Sequence, residues 1–168
     1  MSRCVVCGKG MMRGGTVMHH EKIAGRVFAA ELPAQICSEC NEALVGQDAL
    51  EAFGHLAAKT LADSGEVTGE TFRAMRIALG MNGRAVADEL GVPPETISRW
   101  ERGDRPVDRF AWLVLAAIVR DAVDGTDQTR AQLRALRDPP KVAKTIRLDV
   151  HGPKRAARPW PRRRRRDQ

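Results

Sequence analysis

Four cysteines fall in two matched pairs, Cys4-Val-Val-Cys7 and Cys37-Ser-Glu-Cys40, separated by 29 residues, and there is no fifth cysteine. Two intervening residues let both sulfurs of a pair face one centre, and Gly8 and Gly10 suit the tight turn after the first pair. Four thiolates at about 2.3 Å in a tetrahedron make a closed zinc site, with no coordination position left for a substrate. The spacing therefore predicts one structural zinc ion per chain, held by Cys4, Cys7, Cys37 and Cys40. Disulfides, free thiols or a redox pair are the competing chemistries. No apolar stretch of secretory type follows Met1, and thiols in a reducing compartment stay reduced, so two matched pairs favour metal. His19 and His20 are conceivable substitute ligands. With four cysteines present they read as loop or strand residues.

The second constellation runs from Phe72 to Gly80, through Asn82 and Ala85 to Gly91, and from Thr96 to Gly103. Gly80 suits the residue just past a helix end, and Asn82 suits the cap of a short second helix. Ala87 permits close helix crossing, Leu90 points inward, Gly91 makes the turn and Val92 plugs the core. Pro94 fits the first position of a third helix, which Ile97 and Trp100 dock. Glu95, Thr96, Ser98, Arg99 and Arg102 then face outward. A helix so presented has the dimensions to enter a DNA major groove. Arg99, with Thr96 and Glu95, is expected at base edges, and Arg84 and Arg102 nearer phosphates.

Residues 70–120 resemble the Xre-type helix-turn-helix of phage repressors and bacterial regulators, most closely at Arg76 to Asn82 and Ile97 to Gly103. Gly83 and Pro93 depart from it, standing where the family has Gln and a capping Ser or Thr. The resemblance implies an ion pair between Arg76 and Glu101 beneath the DNA-facing surface. A Cys4 zinc segment, a helix, a hinge and an Xre-type domain in this order resemble the MqsA-type antitoxins, also described as YgiT-type zinc-finger regulators. That resemblance implies a dimeric repressor of its own operon whose zinc domain binds a toxin. A free-standing regulator without a toxin, and an adaptor whose zinc domain binds protein, are the alternative readings.

The elements that must position these residues follow from composition. Residues 1–46 are rich in glycine and short apolar stretches, which predicts small strands and turns stapled by metal. Residues 47–69 read as a linker helix, with Leu50, Phe53 and Leu61 on one face, and a hinge. Residues 70–123 carry the helical period, as Phe72, Met75 and Leu79 show. Residues 124–151 predict a helix and a strand near 143–150, and 152–168 an Arg-rich disordered tail. The fold class is thus a small α+β Cys4 zinc domain followed by an all-α helix-turn-helix domain and a basic tail.

The net charge of +7 is unevenly placed. Residues 139–168 carry a net +9, whereas residues 1–138 carry −2, so basicity alone does not make the folded part a DNA binder. The longest uncharged apolar run, Phe110 to Val119, is half of what a bilayer crossing needs. The expectation is a cytoplasmic, nucleoid-associated protein with no membrane contact. No Ser/His/Asp triad, phosphate loop or carboxylate pair stands out, which predicts no enzyme activity. The apolar Phe110, Trp112, Leu113, Leu115, Ile118 and Val119 predict a homodimer through the C-terminal helical domain, matched to a palindromic double-stranded operator.

Overall fold

The computed structural model describes residues 2–141 and 144–147. The chain divides into two units, Met1–Asp138 and Pro139–Gln168, and every element named below lies in the first. Half of the strand expected near 143–150 lies outside the described residues, and residues 144–147 carry no strand. The basic tail also lies outside them.

The chain opens with an antiparallel sheet of three strands in the order β1-β2-β3: β1 (Met12–Ile23), β2 (Arg26–Cys37) and β3 (Ala43–Val45). β1 and β2 pair along their full length, from Met12 opposite Cys37 to Ile23 opposite Arg26. The turn between them places both Ala24 and Gly25 at positive φ, as a two-residue hairpin turn of the I′ kind requires. β3 pairs only with Ala34–Ile36. The two long strands differ from the small strands that the glycine content predicts. The reason is physical: β1 buries only Met12, so its two-residue alternation is weak, and β2, which does alternate from Phe28 to Gln35, carries Pro33 within it. Met12, Leu32, Ala34 and Cys37 are the ribbon's only buried residues, while Val27 and Met18 stand in solvent.

Six helices follow: α1 (Gln47–Ser64), α2 (Gly69–Ala78), α3 (Gly83–Leu90), α4 (Pro94–Arg102), α5 (Arg109–Asp124) and α6 (Gln128–Arg137). Thr68 caps α2 in a reciprocal box with Thr71, and the Asp108 carboxylate accepts from two amides of the first turn of α5. The core gathers Phe72 and Met75 of α2, Val86 and Ala87 of α3, Ile97 and Trp100 of α4, and Trp112, Leu115 and Val119 of α5. α1 also joins it: Ala58 and Ala62 are buried there, and Arg120 of α5 bonds Asp63 at 3.0 Å and the Ala62 carbonyl at 3.1 Å. Most apolar residues of α5 serve this core. Only Phe110 and Leu113 remain exposed, with Leu133 of α6 half-buried and Leu136 exposed. Among the described residues no helix is long and apolar enough to cross a membrane.

Candidate metal centre and nucleic-acid interface

The two cysteine pairs meet at the base of the hairpin. Their four Sγ atoms all lie within 4.8 Å of one another. Cys4 and Cys40 Sγ are 3.8 Å apart, and Cys7 and Cys37 Sγ 3.7 Å. A tetrahedron with metal–sulfur bonds of about 2.3 Å has sulfur–sulfur edges of about 3.8 Å, so the cluster could hold one metal ion. All four cysteines are free, at separations well beyond the roughly 2.05 Å of a disulfide.

Local folding explains how two separated segments make one cluster. In each pair the amide four residues after the first cysteine returns to that cysteine's carbonyl: Gly8 to Cys4 at 3.0 Å, Asn41 to Cys37 at 3.2 Å. Both Gly8 and Asn41 take positive φ, so the two turns share one geometry. In the sequence, Asn41 is legible only as a residue type that tolerates this conformation. Gly10 has a different task. A Cβ there would lie 2.4 Å from Cys37 Sγ, so the first turn can approach the second pair only without a side chain.

Backbone amides also prepare the sulfurs. Gly10 N–H points at Cys7 Sγ from 3.5 Å and Glu39 N–H at Cys37 Sγ from 3.4 Å. The Gly10 and Lys9 amides bring the Cys7 thiol down to about 6. The Cys40 and Glu39 amides lower Cys37 as well. At Cys40 the Glu42 amide acts downward, but its hydrogen bond with Cys37, burial and the other sulfurs outweigh it and push the thiol up to about 12. Thiolates crowded this closely resist sharing one site without a cation to neutralise them. His19 is no part of the cluster: it lies on β1 with its ring edge-on to Phe53, centroids 4.8 Å apart. His20 is its neighbour on the same strand.

The second site is built on α3 and α4. Asn82 Oδ1 accepts from Ala85 N at 2.8 Å and starts α3. Gly91, at φ +67°, ends it in a left-handed turn that few side chains tolerate. Pro93 and Pro94 then set the first residues of α4, without a side-chain cap. Ile97 and Trp100 are buried, which turns Glu95, Ser98, Arg99 and Arg102 outward and leaves Thr96 half-buried; Arg84 is exposed on α3. Residues 72–117 match the helix-turn-helix family model. That match supports a DNA-binding transcriptional regulator. No curated protein matches the chain.

Within the helix-turn-helix, Arg76 and Glu101 form a two-pronged pair between α2 and α4: Nε donates to Oε1 at 2.5 Å and Nη2 to Oε2 at 2.8 Å. The third prong, Nη1, donates to the Met81 carbonyl at 2.9 Å, which ties the pair to the α2–α3 connection. Both side chains are about 85% buried, at 15% and 13% exposure. The hydrogen bonds Arg76 donates to Glu101 outweigh burial and raise the Arg76 pKa, so the charge persists. Arg102 is engaged locally, donating to Ser98 Oγ at 2.5 Å and to Asp104 Oδ2 at 2.9 Å, whereas the side chains of Arg84 and Arg99 take no part in those bonds.

Two structural supports escape sequence reasoning. Thr71 is buried and accepts from Trp112 Nε1 at 3.3 Å, while its hydroxyl donates to the Glu66 carbonyl at 2.7 Å. Gly69 lets the start of α2 touch the end of α4, since a Cβ there would meet the Trp100 carbonyl at 2.2 Å. Thr71 four residues before Met75 resembles any polar helix residue. Gly69 resembles any hinge glycine. Nothing in the one-dimensional pattern separates either from those.

Proposed function

We propose that this chain is a zinc-stapled repressor that reads a palindromic operator with α4. The observation that carries the reading is the outward face of α4, held by α3 across the Gly91 turn and braced from below by the Arg76–Glu101 pair. In this reading Arg99 contacts a guanine edge, Glu95 accepts from a cytosine amino group, and Thr96 and Ser98 fill between them. Arg84 and Arg102 contact phosphates and fix the register. Cys4, Cys7, Cys37 and Cys40 hold one zinc ion, whose charge neutralises the thiolates and closes the hairpin base without reactivity.

A homodimer through Phe110 and Leu113 of α5 and Leu136 of α6 brings two copies of α4 onto two half-sites. The order of cysteine sheet before helix-turn-helix is the ground for an antitoxin role, in which the chain represses its own operon and binds a toxin. Footprinting of the DNA upstream of its own gene tests the reading. Protection of a two-fold symmetric site supports it, and uniform weak protection removes it. A stable complex with the product of the adjacent gene supports the antitoxin role, and its absence leaves a free-standing regulator.

A further inference from the structure

β2 is twelve residues long, but β3 pairs with residues 34–36 of it alone. On the side away from β1, residues 26–32 of β2 therefore meet no further strand among the described residues, and Pro33, which has no N–H, closes that free edge. An open groove of about 520 Å³ runs along the edge. Six consecutive residues of β2, 28–33, and one side of α1 line it, and no residue of β1 does. α1 supplies an apolar wall with Ala49, Ala52 and Leu56, the last 57% exposed. The charged residues on the lining are Glu31 and Asp48, both acidic. An unpaired strand edge beside an apolar wall is a template for another strand.

The chain carries a segment of matching kind. In residues 144–150, Ile146, Leu148 and Val150 alternate with Thr145, Arg147 and Asp149, and Ile146 stands 61% exposed. These seven residues equal the free edge in length. Lys141, Lys144 and Arg147, against the single Asp149, suit a groove that holds two carboxylates and no cation. We infer that residues 144–150 of a second copy of the chain add to this edge as a further strand. Burial along β2 alternates, with Phe28, Ala30 and Leu32 turned inward and Val27, Ala29 and Glu31 in solvent. Ile146, Leu148 and Val150 then lie on the side of Phe28, Ala30 and Leu32, against α1, and Arg147 lies on the side of Glu31. The occupant is assigned to a second copy because α6, which precedes the segment, ends against α3, where Arg137 donates to the carbonyl and carboxylate of Glu89. Neither helix lines the groove, and the six residues from Asp138 to Lys144 reach at most about 20 Å. A small apolar molecule would fill the groove but leave the outward amides and carbonyls of β2 to water. The inference is independent of what α4 reads and of the contact between copies through α5 and α6.

Hydrogen–deuterium exchange of the full chain at high and low concentration tests it. At high concentration the amides of residues 27–32 that point away from β1 should exchange about tenfold more slowly than after dilution, or than in the Ile146→Asp/Leu148→Asp variant. Amides bonded to β1 should not change, which shows that the hairpin keeps its fold. Leu56→Asp, which places a charge on the apolar wall, should give the same loss of protection. Photo-crosslinking then identifies the occupant. An equal mixture of nitrogen-14 and nitrogen-15 chains, each with Leu148→p-benzoylphenylalanine, should yield linked peptides from α1 or β2 that combine both isotopes. Outward amides that exchange alike at both concentrations and in the variants would overturn the inference. So would links to elements other than α1 and β2, or linked peptides of one isotope alone, which would assign the segment to its own chain.

Discussion

The cysteine end of the molecule buries Cys4, Met12 and Cys37 with Cys7 packed against them, whereas the helical body buries thirteen residues around Phe72, Met75 and Trp100. Both are parts of one unit, yet they rest on different physics. The few side chains buried there, Cys4, Met12, Leu32, Ala34 and Cys37, are a small core for so long a hairpin, which is the place where a cross-link between its turns, such as the metal its cysteines could hold, matters most. The helical body has aliphatic and aromatic contacts enough for its own stability, and adds polar braces where geometry matters. The contrast teaches where each function lies: the cysteines keep a shape, and the helices present one.

The sharpest way to break this contrast is to deny the cysteine cluster the zinc ion proposed for it. Cys37→Ser, or chelation, should unfold the hairpin base and abolish binding of one ion per chain, while the helical circular-dichroism signal persists. Structural zinc contributes about 10–16 kcal/mol of binding free energy at neutral pH, so no other single change should cost the molecule as much. Gly10→Ala should act in the same direction, because the added Cβ meets Cys37 Sγ at 2.4 Å. Metal analysis and near-ultraviolet spectra of a cobalt-substituted chain provide the readout. Helical signal lost together with the metal would mean that the two ends are not separable.

The helical side of the comparison is tested at its buried pair. Arg76→Ala or Glu101→Ala alone should destabilise the unit by about 3 kcal/mol, since each leaves one charge unpaired inside the protein. The double variant should recover part of that loss, as the pair itself adds little once both charges have given up water. Thermal melts of the four chains complete the cycle, and strictly additive losses would reduce the pair to two unrelated surface charges.

Two smaller effects sharpen the picture. Removing residues 152–168 takes away eight basic side chains and should lower the log–log salt slope of DNA binding by up to about seven. An unchanged slope assigns the tail another role. The smallest effect is expected at Asp121, whose carboxylate accepts from Thr129 N at 2.6 Å and Thr126 Oγ1 at 2.8 Å and so caps α6. The Thr129 amide lowers its pKa. A lowered carboxylate contributes stability that is complete above its ordinary value near 3.9 and is lost as pH falls through the lower folded value. Protection of the α6 amides, taken relative to their intrinsic exchange rates, should therefore fall below about pH 4. The dependence should be flatter in Asp121→Asn.

Legibility in the sequence follows the same division. The helical body is readable because its period, its caps and its turn glycine all agree: Phe72 and Met75 are buried, Asn82 caps α3 and Gly91 turns the chain. The cysteine cluster is readable from spacing alone. The hairpin is not, since β1, mostly exposed and with Gly14, Gly15, His19 and His20, carries little two-residue alternation, and β2 carries Pro33 within it. Nor is the docking of α1 onto α5, because Ala58 and Ala62 signal burial weakly and the Arg120–Asp63 bond joins residues far apart in sequence. Small residues and long-range polar contacts are set by three-dimensional packing, which periodicity does not encode.

The central claim is that α4 reads bases, and Arg99→Ala tests it most directly. Its affinity should be compared with that of the unaltered chain, at one salt concentration, on the footprinted operator and on an unrelated duplex. An Arg paired with guanine contributes about 1–3 kcal/mol of discrimination, so the operator should lose that much and the unrelated duplex little. Equal losses on both would make Arg99 a phosphate contact and contradict the reading of α4 as the helix that recognises sequence.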